Sequence, residues 1–134
     1  MSNTAATLLI VDDDVHVREL LEALLQEQGY HTLTASSGEQ ALSLVAQQQP
    51  DLILLDAMMP KISGFDVLDI LRNTPETTNI RVIMLTALSQ PKDKERAEQL
   101  GVDDYLVKSQ VVIGDVIARV RHHLGLDDQS SPTQ

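Results

Sequence analysis

Residues 8–14 read LLIVDDD, so four apolar residues run without interruption into three aspartates. An unbroken apolar run is typical of a strand that is covered on both faces, as strands of parallel sheets are. Two further runs have the same character, LILL at residues 52–55 and VIML at residues 82–85. Weaker strand patterns occupy residues 31–35 and 105–107, and the alternation at 31–35 is typical of an edge strand. The sequence therefore predicts five strands.

Segments with helical periodicity separate and follow these strands. The first carries one apolar stripe that we expect to be buried, formed by Val17, Leu20, Leu21, Leu24 and Leu25. Ser37 is predicted to cap the second helix, and a short third helix includes residues 67–71. The fourth, residues 92–100, is mostly polar and is predicted to be loosely held, whereas the fifth, residues 113–124, has a second apolar stripe. Strands alternating with five helices predict an α/β fold, a three-layer sandwich with right-handed crossovers.

Length and composition limit the function classes. A chain of 134 residues predicts one domain, which we place at residues 7–125, with residues 126–134 as a polar tail or the start of a linker. The formal net charge of −10 disfavours direct nucleic acid binding and binding to anionic membranes. The absence of cysteine excludes disulfides and thiolate metal sites. No apolar run approaches the ~20 residues that span a bilayer, so a cytoplasmic protein is expected.

Polar residues follow four of the predicted strands directly. Residues 12–14 follow the first strand, Asp56 the third, Thr86 the fourth and Lys108 the fifth. The carboxyl ends of parallel strands share one edge of a sheet, where open α/β folds bind their ligands. If the strand order is 2-1-3-4-5, the first and third strands are neighbours and their aspartates converge in one crevice.

Converging carboxylates repel one another, and a cation relieves that repulsion. Oxygen ligands without histidine or cysteine favour Mg²⁺ over softer metals. Lys108 and the Thr86 hydroxyl complete a cradle for a phosphoryl group, and Asp56 is the best candidate for a nucleophile that would form an aspartyl phosphate. Taken singly, the aspartates are commonly helix caps, Lys108 a solvated lysine and Thr86 a strand residue. Together, at successive strand ends, they favour the phosphoryl site.

Several short motifs resemble those of the receiver domain of bacterial two-component response regulators. They are LIVDDD at 9–14, LLDAMMP at 54–60, Gly64, Thr86 with Ala87, and YLVK at 105–108. The resemblance covers about residues 7–124, and its specificity lies in the order and spacing of the motifs. It implies a flavodoxin-like fold with a parallel sheet in the order 2-1-3-4-5. It also implies a phosphorelay module rather than an ordinary enzyme.

The resemblance implies a role for each residue of this sequence that matches a site residue of receivers. Asp56 matches the phosphoacceptor, and Asp13 matches a direct Mg²⁺ ligand. Asp12 helps to hold the metal, often through water, while Asp56 and the backbone carbonyl of Met58 complete the protein ligands. Lys108 matches the lysine that contacts the phosphoryl group.

Two further positions resemble the switch residues of receivers. Thr86 matches the hydroxyl residue that moves toward the phosphoryl group, and Tyr105 matches the aromatic residue that then turns inward from solvent. This movement is expected to remodel the face formed by helix 4, strand 5 and helix 5 by biasing two existing states.

The sequence departs from the usual receiver pattern at Ser109, where the family commonly has a proline in a cis peptide. A cis bond before a non-proline residue costs ~2.5–4 kcal/mol, so this departure leaves open a degenerate receiver that binds partners without phosphorylation. A Mg²⁺-dependent phosphohydrolase is disfavoured, because Met58 stands where such an enzyme would have a second aspartate. Met58 and Leu88 are both apolar, and they match positions that tune hydrolysis in receivers, so the resemblance implies slow autodephosphorylation.

The resemblance also implies partners. The phosphoryl donor would be a sensor histidine kinase or a histidine phosphotransfer protein, and the output would pass to an effector protein or an attached output domain. Four charged residues resemble those that bridge receiver dimers: Lys94, Asp104, Asp115 and Arg119. The resemblance predicts a homodimer on phosphorylation, although an ordinary role as solvated helix charges explains these residues equally well.

Overall fold

The computed structural model describes residues 5–126, which form one parallel five-stranded sheet. The strands are β1 (Thr7–Val11), β2 (His31–Ala35), β3 (Leu52–Leu55), β4 (Arg81–Thr86) and β5 (Asp104–Val107). Their order is β2-β1-β3-β4-β5, with every neighbouring pair parallel. The flavodoxin-like order is therefore confirmed, and β1 and β3 lie side by side at the point where the order reverses.

Five helices cover the two faces of the sheet: α1 (Val15–Glu27), α2 (Gly38–Gln48), α3 (Gly64–Arg72), α4 (Pro91–Gln99) and α5 (Ile113–His123). Buried side chains of α1 and α5 form one core with one face of the sheet, and those of α2, α3 and α4 form a second core on the other face. Strands β1 and β3 supply side chains to both cores, which explains why their sequences are apolar without alternation. This arrangement is the predicted three-layer sandwich.

Side-chain caps fix where the helices next to the crevice begin. The carboxylate of Asp14 accepts hydrogen bonds from the backbone N–H groups of His16 and Val17 at 2.9 and 3.4 Å. Ser37 caps α2 as predicted, and Ser63 forms a reciprocal capping box at the start of α3. The Asp14 carboxylate therefore caps α1, and Asp12 and Asp13 are the aspartates of this run that remain available to the crevice.

The buried stripe of α1 is narrower than its periodicity predicted. Leu21 and Leu25 are buried, whereas Leu20 is 55% exposed and lies beside the start of α5. Adjacent helical residues are rotated by about 100°, so Leu20 and Leu21 cannot both point at the sheet. The fourth helix is polar, with Ala97 as its one buried residue, and its loose attachment stays a prediction.

The segment after β5 forms a single 3-10 turn at Lys108–Gln110 before α5 begins. No helix among residues 5–126 is long and apolar enough to cross a membrane. Of the segment predicted as a tail at 126–134, residues 127–134 lie outside the described residues.

Candidate functional site

The four predicted polar positions lie at the carboxyl edge of the sheet. Asp12 follows β1, Asp56 follows β3, Thr86 ends β4 and Lys108 follows β5. Val11 pairs with Leu55, so the residues after them are brought side by side, and the backbone N–H of Asp56 donates to the Val11 carbonyl at 3.0 Å. The parallel register therefore places acidic residues that are distant in sequence in one crevice.

Three carboxylates meet in this crevice. One oxygen from each of Asp12, Asp13 and Asp56 lies within 4.8 Å of the others. Asp12 and Asp56 are 3% and 5% exposed, whereas Asp13 lies at the exposed rim. Burial raises the pKa of Asp12, and the negative charge of Asp56 adds to that rise, partly offset by hydrogen bonds from Lys108 and from the Asp14 backbone. Hard oxygen donors at this spacing fit a divalent ion such as Mg²⁺.

Lys108 bridges two of the carboxylates. Its Nζ atom lies 2.8 Å from Oδ2 of Asp12 and 3.3 Å from Oδ2 of Asp56. Burial acts to lower the pKa of Lys108, but the hydrogen bond to Asp12 and the charge of Asp56 outweigh it and raise the pKa. The peptide bonds of the described residues are all trans, including the bond between Lys108 and Ser109. A serine at this position therefore does not displace the lysine from the crevice.

Backbone contacts fix the orientation of Asp56. Its Oδ1 accepts a hydrogen bond from the backbone N–H of Met58 at 3.0 Å, which leaves Oδ2 facing Lys108. The backbone N–H of Gly64 donates to the Ala57 carbonyl at 2.9 Å, which closes the loop between β3 and α3. A Cβ atom on Gly64 would lie 2.2 Å from the backbone carbonyl oxygen of Asp56, so this close approach requires glycine.

Met58 lies at the mouth of the crevice. Its side chain is 52% exposed, and it lines an open cavity of about 370 Å³ together with Asp13 and Pro60. An apolar side chain here therefore borders the rim carboxylate that was predicted as a metal ligand.

The sequence model of the response regulator receiver domain matches residues 8–121, most of the described chain. The chain belongs to this receiver domain family. Receiver domains of response regulators are signalling domains rather than conventional enzymes.

Similar proteins agree with the family. The chain is 42% identical over 122 residues to the DNA-binding dual master transcriptional regulator RpaA of Synechocystis sp., covering 91% of this chain and 50% of that protein. It is 44% identical over 105 residues to the probable transcriptional regulator ycf27 of Guillardia theta, covering 78% of this chain and 40% of that protein. This receiver thus spans half the length, or less, of these curated relatives.

A solved structure supports the fold independently. The crystal structure of a putative response regulator from Chloroflexus aurantiacus superposes with a TM-score of 0.85 at 35% identity, covering 91% of this chain and 99% of that one. The shared architecture extends across nearly the whole receiver.

Thr86 and Tyr105, the predicted switch residues, are both tied to Leu88. Thr86 is fully buried, and its hydroxyl accepts a hydrogen bond from the Leu88 N–H at 3.3 Å. The Tyr105 hydroxyl donates to the Leu88 carbonyl at 2.9 Å, and the residue is 9% exposed. Burial raises the pKa of Tyr105, and the charges of Asp93 and Asp56 add to that rise. Tyr105 was expected to turn in from solvent on phosphorylation; in this structure it is buried and bonded to Leu88, and its part in a switch stays a prediction.

Two of the charges predicted to bridge a dimer, Asp104 and Arg119, pair with each other within this chain, and the dimer stays a prediction. Arg119 Nη1 donates to both carboxylate oxygens of Asp104, at 2.8 and 2.6 Å, and His123 Nε2 lies 2.9 Å from Oδ2. Burial acts to raise the pKa of Asp104, but the hydrogen bonds from Arg119 and His123 prevail and lower it. Lys94 and Asp115 are exposed, and Asp115 caps the start of α5 through the Val112 N–H.

Sequence reasoning missed two contacts made by arginine side chains. The Arg18 guanidinium donates to the backbone carbonyl of Asp12 at 2.8 Å. The Arg96 guanidinium of α4 lies over the Phe65 ring of α3, 4.2 Å from its centroid, which is a cation–π contact between the two helices. Neither arginine stands out in the sequence, because each contact joins separate elements or reaches back to a backbone atom.

Proposed function

We propose that this receiver accepts a phosphoryl group onto Asp56 from the phosphohistidine of a sensor histidine kinase or a histidine phosphotransfer protein, in a Mg²⁺-dependent reaction. The observation that most strongly supports this proposal is the position of the Lys108 ammonium. It contacts both Asp12 and Asp56, beside the third carboxylate of Asp13. A buried carboxylate with a fixed cation beside it and room for a second cation suits phosphoryl transfer, where positioning and charge neutralisation dominate.

The chain's own residues supply the nucleophile and the positive charge. An Asp56 carboxylate oxygen forms the new bond to phosphorus as the bond from phosphorus to the donor's histidine nitrogen breaks, and the electron pair of that bond returns to the imidazole. Lys108, already 3.3 Å from Asp56, neutralises one of the phosphoryl oxygens. Thr86, at the end of the neighbouring strand, donates its hydroxyl to another. These three residues form the catalytic set of this proposal.

The metal ligands of the proposal come from the same loops. Asp13 and Asp56 would bind Mg²⁺ directly together with the backbone carbonyl of Met58, and Asp12 would hold it through water. The bound ion supplies positive charge that offsets the phosphoryl oxygens.

An apolar patch supports a location for the phosphodonor protein. Val15 and Leu20 of α1 and Val112 and Ile113 at the start of α5 are exposed large hydrophobic residues. Leu20, Val112 and Ile113 line one groove of about 190 Å³ whose wall includes Lys108, so the groove adjoins the phosphoacceptor crevice that the Lys108 ammonium enters. The opposite flank, α4, is polar. A donor that reaches Asp56 would therefore bury an apolar helix face against α1 and α5.

Comparing a protein phosphodonor with a small one distinguishes an effect on docking from an effect on the transfer reaction. Leu20→Gln is expected to slow transfer from phosphorylated kinase domains while leaving transfer from acetyl phosphate unchanged, since the small donor does not need the patch. Equal slowing with both donors would contradict this docking face.

The proposed output is a conformational switch. Phosphorylation of Asp56 draws the Thr86 hydroxyl inward and changes its bond with the Leu88 N–H, and Tyr105 shares Leu88 as its partner. The shared residue couples the crevice to the face of α4, β5 and α5, which would engage an effector, an attached output domain or a second phosphorylated copy. We place the protein in the cytoplasm, with residues 7–125 as the signalling domain and 126–134 as a tail or linker.

The degenerate alternative gains no support from Ser109. It depended on a displaced Lys108, and the ammonium lies within hydrogen-bonding distance of both aspartates.

Incubation with acetyl phosphate and Mg²⁺ tests the proposal. We expect a phosphoryl mass gain in the intact wild-type protein, and none in Asp56→Ala or when EDTA replaces Mg²⁺. A wild-type protein that gains no mass would favour the phosphorylation-independent module instead.

A further inference from the structure

Arg18 lies in the first turn of α1 and reaches back to the acidic loop that precedes the helix. Its Nη1 atom donates a 2.8 Å hydrogen bond to the backbone carbonyl oxygen of Asp12. We propose that Arg18 is a positioning residue for Asp13, holding this metal ligand through the peptide bond that joins it to Asp12. The inference rests on the proposed function, because that function makes Asp13 a ligand.

The two residues flanking Asp13 are each held by several contacts. The N–H of Asp12 donates to the Ala35 carbonyl at 3.2 Å, and its two carboxylate oxygens accept from the Asp14 N–H and from Lys108. The carboxylate of Asp14 caps α1. Neither residue depends on a single bond for its place.

Asp13 differs from both neighbours. It is exposed, and its carboxylate makes no hydrogen bond or ion pair within residues 5–126. No hydrogen bond or ion pair of its own therefore fixes that carboxylate, so the orientation of its backbone has a large share in where it lies. The Asp12 carbonyl belongs to the same planar unit as the Asp13 nitrogen, so holding the carbonyl oxygen also orients the bond from which Asp13 departs. Arg18 is the side chain that holds this carbonyl.

An electrostatic role and a positioning role for Arg18 predict opposite changes in Mg²⁺ affinity when the arginine is removed. A guanidinium bonded to the Asp12 carbonyl lies on the loop that carries the acidic cluster and repels an incoming divalent ion, so its loss would by charge alone strengthen Mg²⁺ binding. Loss of the hydrogen bond frees the peptide unit, so the ion must also order Asp13 when it binds, which weakens binding. The sign of the change in affinity distinguishes a positioning role from an electrostatic one.

Titration calorimetry with Mg²⁺ on the folded protein measures this sign. We expect Arg18→Met to bind Mg²⁺ about tenfold more weakly than wild type, the lower end of the range for losing a group that orients a metal ligand. Arg18→Lys keeps the charge but not the planar guanidinium, and we expect an intermediate affinity. Arg81→Met is the matched control: Arg81 also donates to a backbone carbonyl, that of His123, but from the amino end of β4. Its Mg²⁺ affinity should equal that of wild type.

Two results would overturn the inference. One is Arg18→Met binding Mg²⁺ as tightly as wild type or more tightly. The other, decisive if the methionine variant fails to fold, is an unchanged affinity in Arg18→Lys. If wild type itself bound no Mg²⁺, the proposed function would fail, and that outcome is separate from a failure of the positioning role.

Discussion

Replacing Asp13 with asparagine is predicted to stabilise the metal-free fold. The Asp13 carboxylate lies within 4.8 Å of carboxylate oxygens from both Asp12 and Asp56 and makes no compensating bond within residues 5–126. At that separation two unit charges repel by about 0.9 kcal/mol in water and by about 3.5 kcal/mol at an effective dielectric constant of 20. Asp13 is exposed, so the lower figure applies to each pair, and attraction to Lys108 cancels part of the total.

The net gain expected for Asp13→Asn is therefore about 1 kcal/mol in the free energy of unfolding, or about 3–4 °C in melting temperature for a chain of this length. Urea and thermal unfolding in EDTA at low ionic strength measure it. Millimolar Mg²⁺ should reverse the order of the two proteins, because wild type gains binding energy that the variant has largely lost.

Glu19→Gln provides the matched control, since Glu19 is an exposed carboxylate on α1 that does not belong to the cluster. Its stability should stay within about 0.5 kcal/mol of wild type. An Asp13→Asn protein that is no more stable than wild type in EDTA, or one that still gains stability from Mg²⁺ as wild type does, would refute the account of a strained acidic cluster.

Three further predictions concern neighbouring residues. Met58→Asn should hydrolyse its acyl phosphate severalfold faster, because a polar side chain at the mouth can hold a water molecule; wild-type decay within seconds after donor removal would contradict the slow hydrolysis expected here. Gly64→Ala should lose about 1–3 kcal/mol in urea unfolding, since its Cβ would meet the immobile Asp56 carbonyl, and wild-type stability would contradict this. Asp104→Asn should cost about 1–2 kcal/mol at neutral pH. Because the pKa of Asp104 is lowered in the folded state, the difference from wild type should shrink as the pH falls below about 4, and a difference that stays constant down to acid pH would rule out this ion pair as its source.

The fold was largely predictable because its central strands are covered on both faces. The runs at 8–11, 52–55 and 82–85 contain no polar residue, and burial of both faces leaves a parallel sheet as the natural arrangement. The crevice followed from the same logic, since parallel strands end at one edge and each buried run stops at a polar residue. The convergence of Asp12 and Asp56 is thus encoded locally, by where each run ends.

Contacts that depend on side-chain direction were not predictable in the same way. Periodicity placed Leu20 in the buried stripe, but a pattern cannot tell the edge of a stripe from its centre, and Leu20 is exposed. The pairing of Asp104 with Arg119 joins β5 to α5. From the sequence, these charges were equally compatible with bridging a dimer and with lying free in solvent. The bond from Arg18 ends on a backbone carbonyl, which has no sequence signature at all.

The claim that a phosphoryl group is accepted at Asp56 is tested most directly by mapping the modified residue. After reaction with acetyl phosphate and Mg²⁺, borohydride reduction converts an aspartyl phosphate to homoserine, which peptide mass spectrometry locates. We predict conversion at position 56 alone, with none when Mg²⁺ is withheld. Conversion at Asp12 or Asp13, or an unmodified position 56 in protein that has gained phosphoryl mass, would contradict the account.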